Sequence, residues 1–208
     1  MILCSRVLAS WEASAQQFVT ALWDLGVVIG SSVRTYSECQ TQAKGDITIA
    51  TNLIESRAIV GKSALRKQLF RWLMSDAAWS DENFYKARIK AQQDRHRRTN
   101  ETEYNLEPNL KSSPGGLRDM QTITWIGKRH FGLRYMRDLY QHDFMTESEL
   151  GFFYRAIEYL WTIRYALHLQ NRRPEDRLLF DQQRKLAEFF GYEDNDQALA
   201  VEQFMRKY

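Results

Sequence analysis

The sequence predicts a mainly α-helical fold preceded by a short α/β piece. Three observations carry that reading: a β-branched run confined to the first residues, apolar positions recurring at helical spacing nearly everywhere else, and glycines and capping residues at intervals that suit helix ends. Ile2 to Cys4 reads as the tail of a strand, so the chain opens as if in mid-domain. A helix follows, with Trp11, Phe18, Leu22 and Leu25 on one stripe and Gly26 as its left-handed stop. Val27 to Thr35 is rich in β-branched residues, carries Gly30 in its middle, and is expected to return as a strand. The boundary between the two architectures then falls near Thr35, dividing 1–35 from 36–208.

Beyond Thr35 the chain reads as successive helices with stops at Gly45, Gly61, Gly132 and Gly191. Asp46 is expected to cap a helix through Val60, Asp81 one that runs to Arg98, and Thr146 with Glu149 forms a capping box. In the helix after that box, Leu150, Phe153, Ile157, Leu160 and Leu167 make one apolar stripe. Phe152, Tyr159 and Ile163 add a second, which predicts a helix covered on most sides.

Composition narrows the function classes. With 208 residues, 44% hydrophobic and 26% charged, the chain is long enough to bury a core, and three prolines leave little room for linkers. Its 29 basic and 26 acidic residues are mostly interleaved, so a nucleic-acid partner is not implied. No segment offers the roughly 18 apolar residues a membrane span needs. Cys4 and Cys39 lack the spacing of a zinc site or a disulfide framework, which favours reduced thiols and the cytoplasm.

Candidate chemistry gathers between Asn105 and Gly132, where a polar loop with Pro108 and Pro114 runs into a helix through Gly115 and Gly116. Glycines there permit positive φ and close backbone approach, and the first amides of the helix would face an anion, with Lys111 and Arg118 reinforcing it. The plainer alternative is a tight turn, with Asp119 complementing the helix dipole and Arg118 in solvent. The basic run from Lys86 to Arg98 reads first as a solvated face, and otherwise as an electrostatic approach for a nucleotide or an acidic partner. RNA is disfavoured because stacking aromatics are not interleaved with these charges. Arg164 and His168 share a helix face and are expected to find an ion pair or hydrogen bond, and Asp194 and Asp196 to cap the last helix.

Taken together, Leu22-Trp23-Asp24-Leu25-Gly26, Gly30-Ser31-Ser32-Val33-Arg34-Thr35, Asp46 to Thr51, Tyr104 to Pro108 and Pro114-Gly115-Gly116-Leu117-Arg118-Asp119 form an ordered series of blocks. That series resembles the PII uridylyltransferase/uridylyl-removing enzymes. The resemblance continues through Trp125 to Gly132, Leu160 to His168 and Asp176 to Asp181. A related Gly-Gly-x-Arg-Asp segment also marks glutamine synthetase adenylyltransferases, so it is the combination that points to the uridylyltransferases.

The resemblance implies a helical domain, 36–208, following a truncated α/β nucleotidyltransferase remnant, 1–35. It implies transfer of UMP from UTP to a tyrosine of the PII signal protein in nitrogen regulation, with magnesium, beside hydrolase and ACT domains in the full-length enzyme. The Gly-rich turn and metal-binding Asp-x-Asp of such enzymes are absent from this sequence, so no catalytic or metal-ligating residue is assigned here and the chain alone is not expected to transfer UMP. By matching position, Arg34, Lys111, Gly115, Gly116 and Arg118 are expected to border the triphosphate, with Asp119 orienting a base or metal-bound water. The rival reading is a non-catalytic helical module that binds PII or a neighbouring domain.

Overall fold

A computed structural model describes residues 2–4, 9–27, 29–61, 63–98, 106–133 and 135–208. The described residues are mainly α-helical and fall into two compact units, Met1–Ala87 and Arg88–Tyr208.

In the first unit, strands β1 (Ile2–Cys4) and β2 (Val33–Thr35) pair in parallel, with Ile2 opposite Val33 and Cys4 opposite Thr35. Parallel partners need a crossover, and helix α1 (Ala9–Asp24) lies in it. Gly26, at φ 74°, stops α1 as its position predicts, its amide donating to the Trp23 carbonyl at 2.8 Å. The strand expected over Val27 to Thr35 is shorter, since only the last three residues meet the three-residue partner and residues 27 and 29–32 are irregular. Val28 lies outside the described residues.

Thr35 and Glu38 form a capping box that opens α2 (Tyr36–Gly45), and the hydrogen bonds from the Thr35 amide and hydroxyl hold the Glu38 carboxyl below its usual pKa. The Asp46 carboxylate then accepts from the Thr48 amide at 2.6 Å and caps α3 (Ile47–Ile54). Contrary to the expected run to Val60, α3 ends at Ile54. The Ser56 hydroxyl bonds back to the Leu53 carbonyl at 2.6 Å, the Ser56 carbonyl is taken by Arg66, and Ile59 and Val60 are exposed with nothing to pack on. Gly61, at φ 88°, therefore sits in the loop before α4 (Ala64–Leu73), not at a helix end. Gly45 is the last residue of α2 and needs no positive φ. Ser80, not Asp81, caps α5 (Asp81–Arg98), accepting from the Asn83 amide at 3.3 Å. Leu53, Ile54, Leu69, Leu73 and Phe84 are buried in this unit.

The second unit holds residues 88–98 of α5, then α6 (Leu117–Phe131), a 3₁₀ segment (Met136–His142), α7 (Glu147–Asn171), α8 (Phe180–Phe189) and α9 (Ala200–Lys207). Its main core gathers Leu110, Ile163, Leu167, Leu178, Leu186 and Phe204, each fully buried. Burying such a side chain contributes about 1.5–3 kcal/mol, so Leu110 pins its loop to the core immediately before Lys111. Gly132 and Gly191 adopt positive φ at the ends of α6 and α8 as expected. The Thr146 and Glu149 box opens α7, and the Asp194 carboxylate caps α9 through the Ala200 amide at 2.7 Å.

Coverage of α7 is less complete than its two stripes predict. Phe153, Leu160, Ile163 and Leu167 are buried, yet Phe152 is exposed along with Trp161, Tyr165 and Leu169. A helix 25 residues long runs past the shorter elements packed on it, and its outer face stays in water.

Candidate functional site

The loop before α6 is held by local chemistry that fixes where its cation points. The Asn109 side-chain oxygen accepts from the amides of Lys111 and Ser112, at 3.0 and 2.9 Å, while the Ser113 hydroxyl accepts from the Asn109 amide at 2.7 Å. A single antiparallel bridge joins Asn109 to Arg177, and the Leu110 amide donates to the Asp176 carbonyl at 2.8 Å. Sequence-distant Lys111 and Asp176 are brought together by that bridge.

Gly115 has φ 76°, and Gly116 is extended at the N-cap of α6. A Cβ on Gly116 would fall 2.9 Å from the backbone oxygens of both Leu110 and Ser113, so close approach demands glycine here. The amides expected to face an anion are already paired. Gly116 donates to Ser113, Leu117 to Leu110, Arg118 to Lys111 and Asp119 to Gly116, each at 2.9 Å, and the Gly115 amide donates to the Asp119 carboxylate. The loop folds back over the helix start and supplies its own acceptors, so anion binding through these amides does not survive; the cations remain.

Asp119 is buried and serves as an internal brace. One carboxylate oxygen meets Arg95, and the other takes the Gly115 amide and lies 3.2 Å from His96. Both of its oxygens are thus engaged by protein donors.

Arg95 and His96 come from the basic run, and the solvated reading of that run holds only for part of it. Lys86 and Arg97 pair with Glu82 and Asp94 on the exposed side. Arg88, by contrast, is buried, with its guanidinium 4.3 Å from the Trp125 ring centroid and donating to the Thr122 hydroxyl at 3.2 Å. Burial, then the charges of Arg95 and Arg118, bring its pKa down to about 10. Arg118 donates to Gln121, and burial followed by the charges of Arg95 and Arg164 lowers its pKa too.

Asp176 gathers the other side. Arg164 donates to it at 2.6 Å, His168 lies 3.2 Å from the same oxygen, and the Lys111 ammonium stands 4.0 Å from the second. Burial pulls the Asp176 carboxyl upward, but the hydrogen bonds from Arg164 and His168 and the charges of Arg164 and Lys111 outweigh it and hold it below its usual value. The expected ion pair of Arg164 and His168 is thereby found. Arg88, Arg95, Lys111, Arg118 and Arg164 make up a cationic group, called the basin below, in which Arg95 meets Asp119 and Lys111 and Arg164 meet Asp176.

The family model described as GlnD PII-uridylyltransferase matches residues 83–208, which hold α5 from Asn83 onward and every residue of the basin. The chain belongs to that family. It is similar to the bifunctional uridylyltransferase/uridylyl-removing enzyme of Pseudomonas aeruginosa (strain LESB58), 47% identical over 100% of this chain and 23% of that protein. The enzymes of the same name from Stutzerimonas stutzeri (strain A1501) and Azotobacter vinelandii (strain DJ / ATCC BAA-1303) are each 48% identical over 92% of this chain and 21% of their own length. The chain therefore spans about a quarter or less of the curated relatives it matches. No solved structure matches it.

Within the chain, Lys111, Gly115, Gly116, Arg118 and Asp119 stand together at the entry to α6, and Arg34 lies on β2 in the first unit. Arg88, Arg95, Arg164 and Asp176 were not among the expected site residues. Arg164 was marked by its shared helix face with His168, and a signal for Arg88 and Arg95 also existed, because they are seven residues apart and therefore share a face of α5. Asp176 opens one of the resemblance blocks, but no spacing pointed to its partners, since its place depends on the bridge between Asn109 and Arg177.

Proposed function

We propose that the basin receives the triphosphate of UTP in an enzyme that moves UMP onto a tyrosine of the PII signal protein. The observation that carries this reading is the crowding of like charge. Lys111 and Arg164 share the single carboxylate of Asp176, Arg95 lies on Asp119, and Arg88 and Arg118, partly desolvated, each feel two further arginines. Such an arrangement forgoes stability in the free protein and recovers it when a polyanion enters. The names of the relatives agree with uridylyl transfer.

In that reaction the tyrosine oxygen attacks the α-phosphorus, its proton is lost, and pyrophosphate leaves. Cations along the polyphosphate bind it, align the chain for in-line displacement and stabilise charge on the departing pyrophosphate. Arg118, Arg164 and Lys111 serve in this way, with Arg88 adding charge from behind. Gly115 and Gly116 shape the loop that presents Lys111 and Arg118, Asp119 holds Arg95 in place, and Arg34 is assigned to the triphosphate side by resemblance. The division at Thr35 into a nucleotidyltransferase remnant and a helical domain belongs to the same proposal, as do residence in the cytoplasm and association with hydrolase and ACT domains. No helix among the described residues is long and apolar enough to cross a membrane.

Magnesium does not fit the donors at hand. Among the described residues no three His, Cys, Asp or Glu side chains stand together, and Asp119 and Asp176 are occupied by guanidinium groups. Magnesium stays part of the proposed reaction with UTP, held by donors other than these. The basin's own part is electrostatic and positional. Titration calorimetry with UTP tests it: Arg118→Gln is expected to weaken binding by about tenfold or more, the worth of a charge-assisted contact, and equal affinity in the variant would refute the assignment.

A further inference from the structure

Two tryptophans in the second unit carry an arginine on their ring, and they differ in one respect. Trp125 is 4% exposed beneath Arg88, sealed in the interior. Trp161 is 48% exposed, with the Arg164 guanidinium 5.0 Å from its ring centroid. Arg164 is also the residue that binds Asp176, which Lys111 approaches from the loop before α6. Trp161 is therefore joined through the Arg164 guanidinium to the charges assigned to the triphosphate.

We infer that Trp161 is the stacking platform for the nucleobase of the bound nucleotide, an inference that rests on the polyphosphate reading of the basin. A half-exposed indole is an apolar surface left in water, and a base laid on it removes both faces from solvent. Arg164 stiffens the ring while keeping its own side-chain bond to Asp176, so the stacking surface is set before ligand arrives. Tyr165 and Leu169 are also exposed further along α7, but Trp161 is the member of that stripe stacked by a cation of the basin. Stacking reads a π-face and not a hydrogen-bond pattern, so this contact gives affinity for a nucleotide over inorganic polyphosphate without choosing uracil from cytosine.

The test compares UTP with tripolyphosphate, by titration calorimetry on the 208-residue chain, in the wild type, Trp161→Ala and Trp161→Phe. Loss of UTP affinity by about tenfold in the alanine variant, partial recovery with phenylalanine, and tripolyphosphate affinity within about twofold of wild type throughout are expected. Retained tripolyphosphate binding also reports that the variants fold. If both ligands bind all three proteins alike, the ring belongs only to the apolar stripe with Tyr165 and Leu169, and the inference is wrong. If the wild type binds neither ligand, the polyphosphate reading itself falls, and this inference with it.

Discussion

Burial and the neighbouring charges of Arg95 and Arg118 bring the Arg88 guanidinium down to about 10, so at neutral pH it is protonated in a place that disfavours the proton. For a basic group, a folded pKa below the unfolded one means that the charge subtracts from stability throughout the range where it is ionised. The contacts with Trp125 and Thr122 offset part of that cost. Replacing Arg88 with methionine keeps much of the buried volume and removes the charge. Arg88→Met is therefore expected to unfold within about 1 kcal/mol of wild type, or to be more stable, in urea titrations. The same variant is expected to bind tripolyphosphate more weakly. A variant that loses stability by several times that amount, with anion affinity intact, would make Arg88 a structural residue. Neither tendency was legible in the basic run from Lys86 to Arg98, because sequence alone shows the charges and not the helix that α5 packs against. Arg164 and His168 were legible, since two polar residues one turn apart on an apolar helix must find a partner.

At the scale of elements, the entry to α6 depends on two glycines for different reasons. Gly115 needs a left-handed backbone in open space, whereas Gly116 needs the absence of a Cβ beside two carbonyl oxygens. Gly115→Ala is expected to cost about 1–2 kcal/mol from backbone strain. Gly116→Ala is expected to cost about 2–3 kcal/mol, because the atoms in its way are backbone and cannot rotate aside. Denaturant unfolding of the two variants ranks them, and the reverse order would show that the loop is set by conformation and not by close approach. The junction was legible in the sequence as a glycine turn, but the fate of its amides was not. Their acceptors are Leu110, Lys111 and Ser113 of the preceding loop, and only the fold brings those oxygens over the helix start. Helix starts were similarly readable where the cap is local, as at Asp46, at Thr146 with Glu149, and at Asp194. Thr35 and Glu38 offered the same signal. Ends set by tertiary partners were not readable: α3 stops at Ile54 once Arg66 claims the Ser56 carbonyl, and β2 is only as long as its partner.

At the scale of the whole molecule, a net charge of +3 conceals a concentration of cations that composition cannot reveal. Arg95 meets Asp119, Arg164 and Lys111 meet Asp176, and Arg88 and Arg118 lie close enough to feel the charge of further arginines. Family membership was legible in the order of short motifs, while the basin depended on contacts between residues far apart in sequence. The central claim is that these charges are held for a polyphosphate. Following the side-chain Nε–H signals of Arg118 and Arg164 by NMR during a tripolyphosphate titration of the chain tests it most directly. Saturable shifts at both, lost in Arg118→Gln, are the predicted result; signals that stay in place at millimolar ligand while the protein remains folded would contradict it.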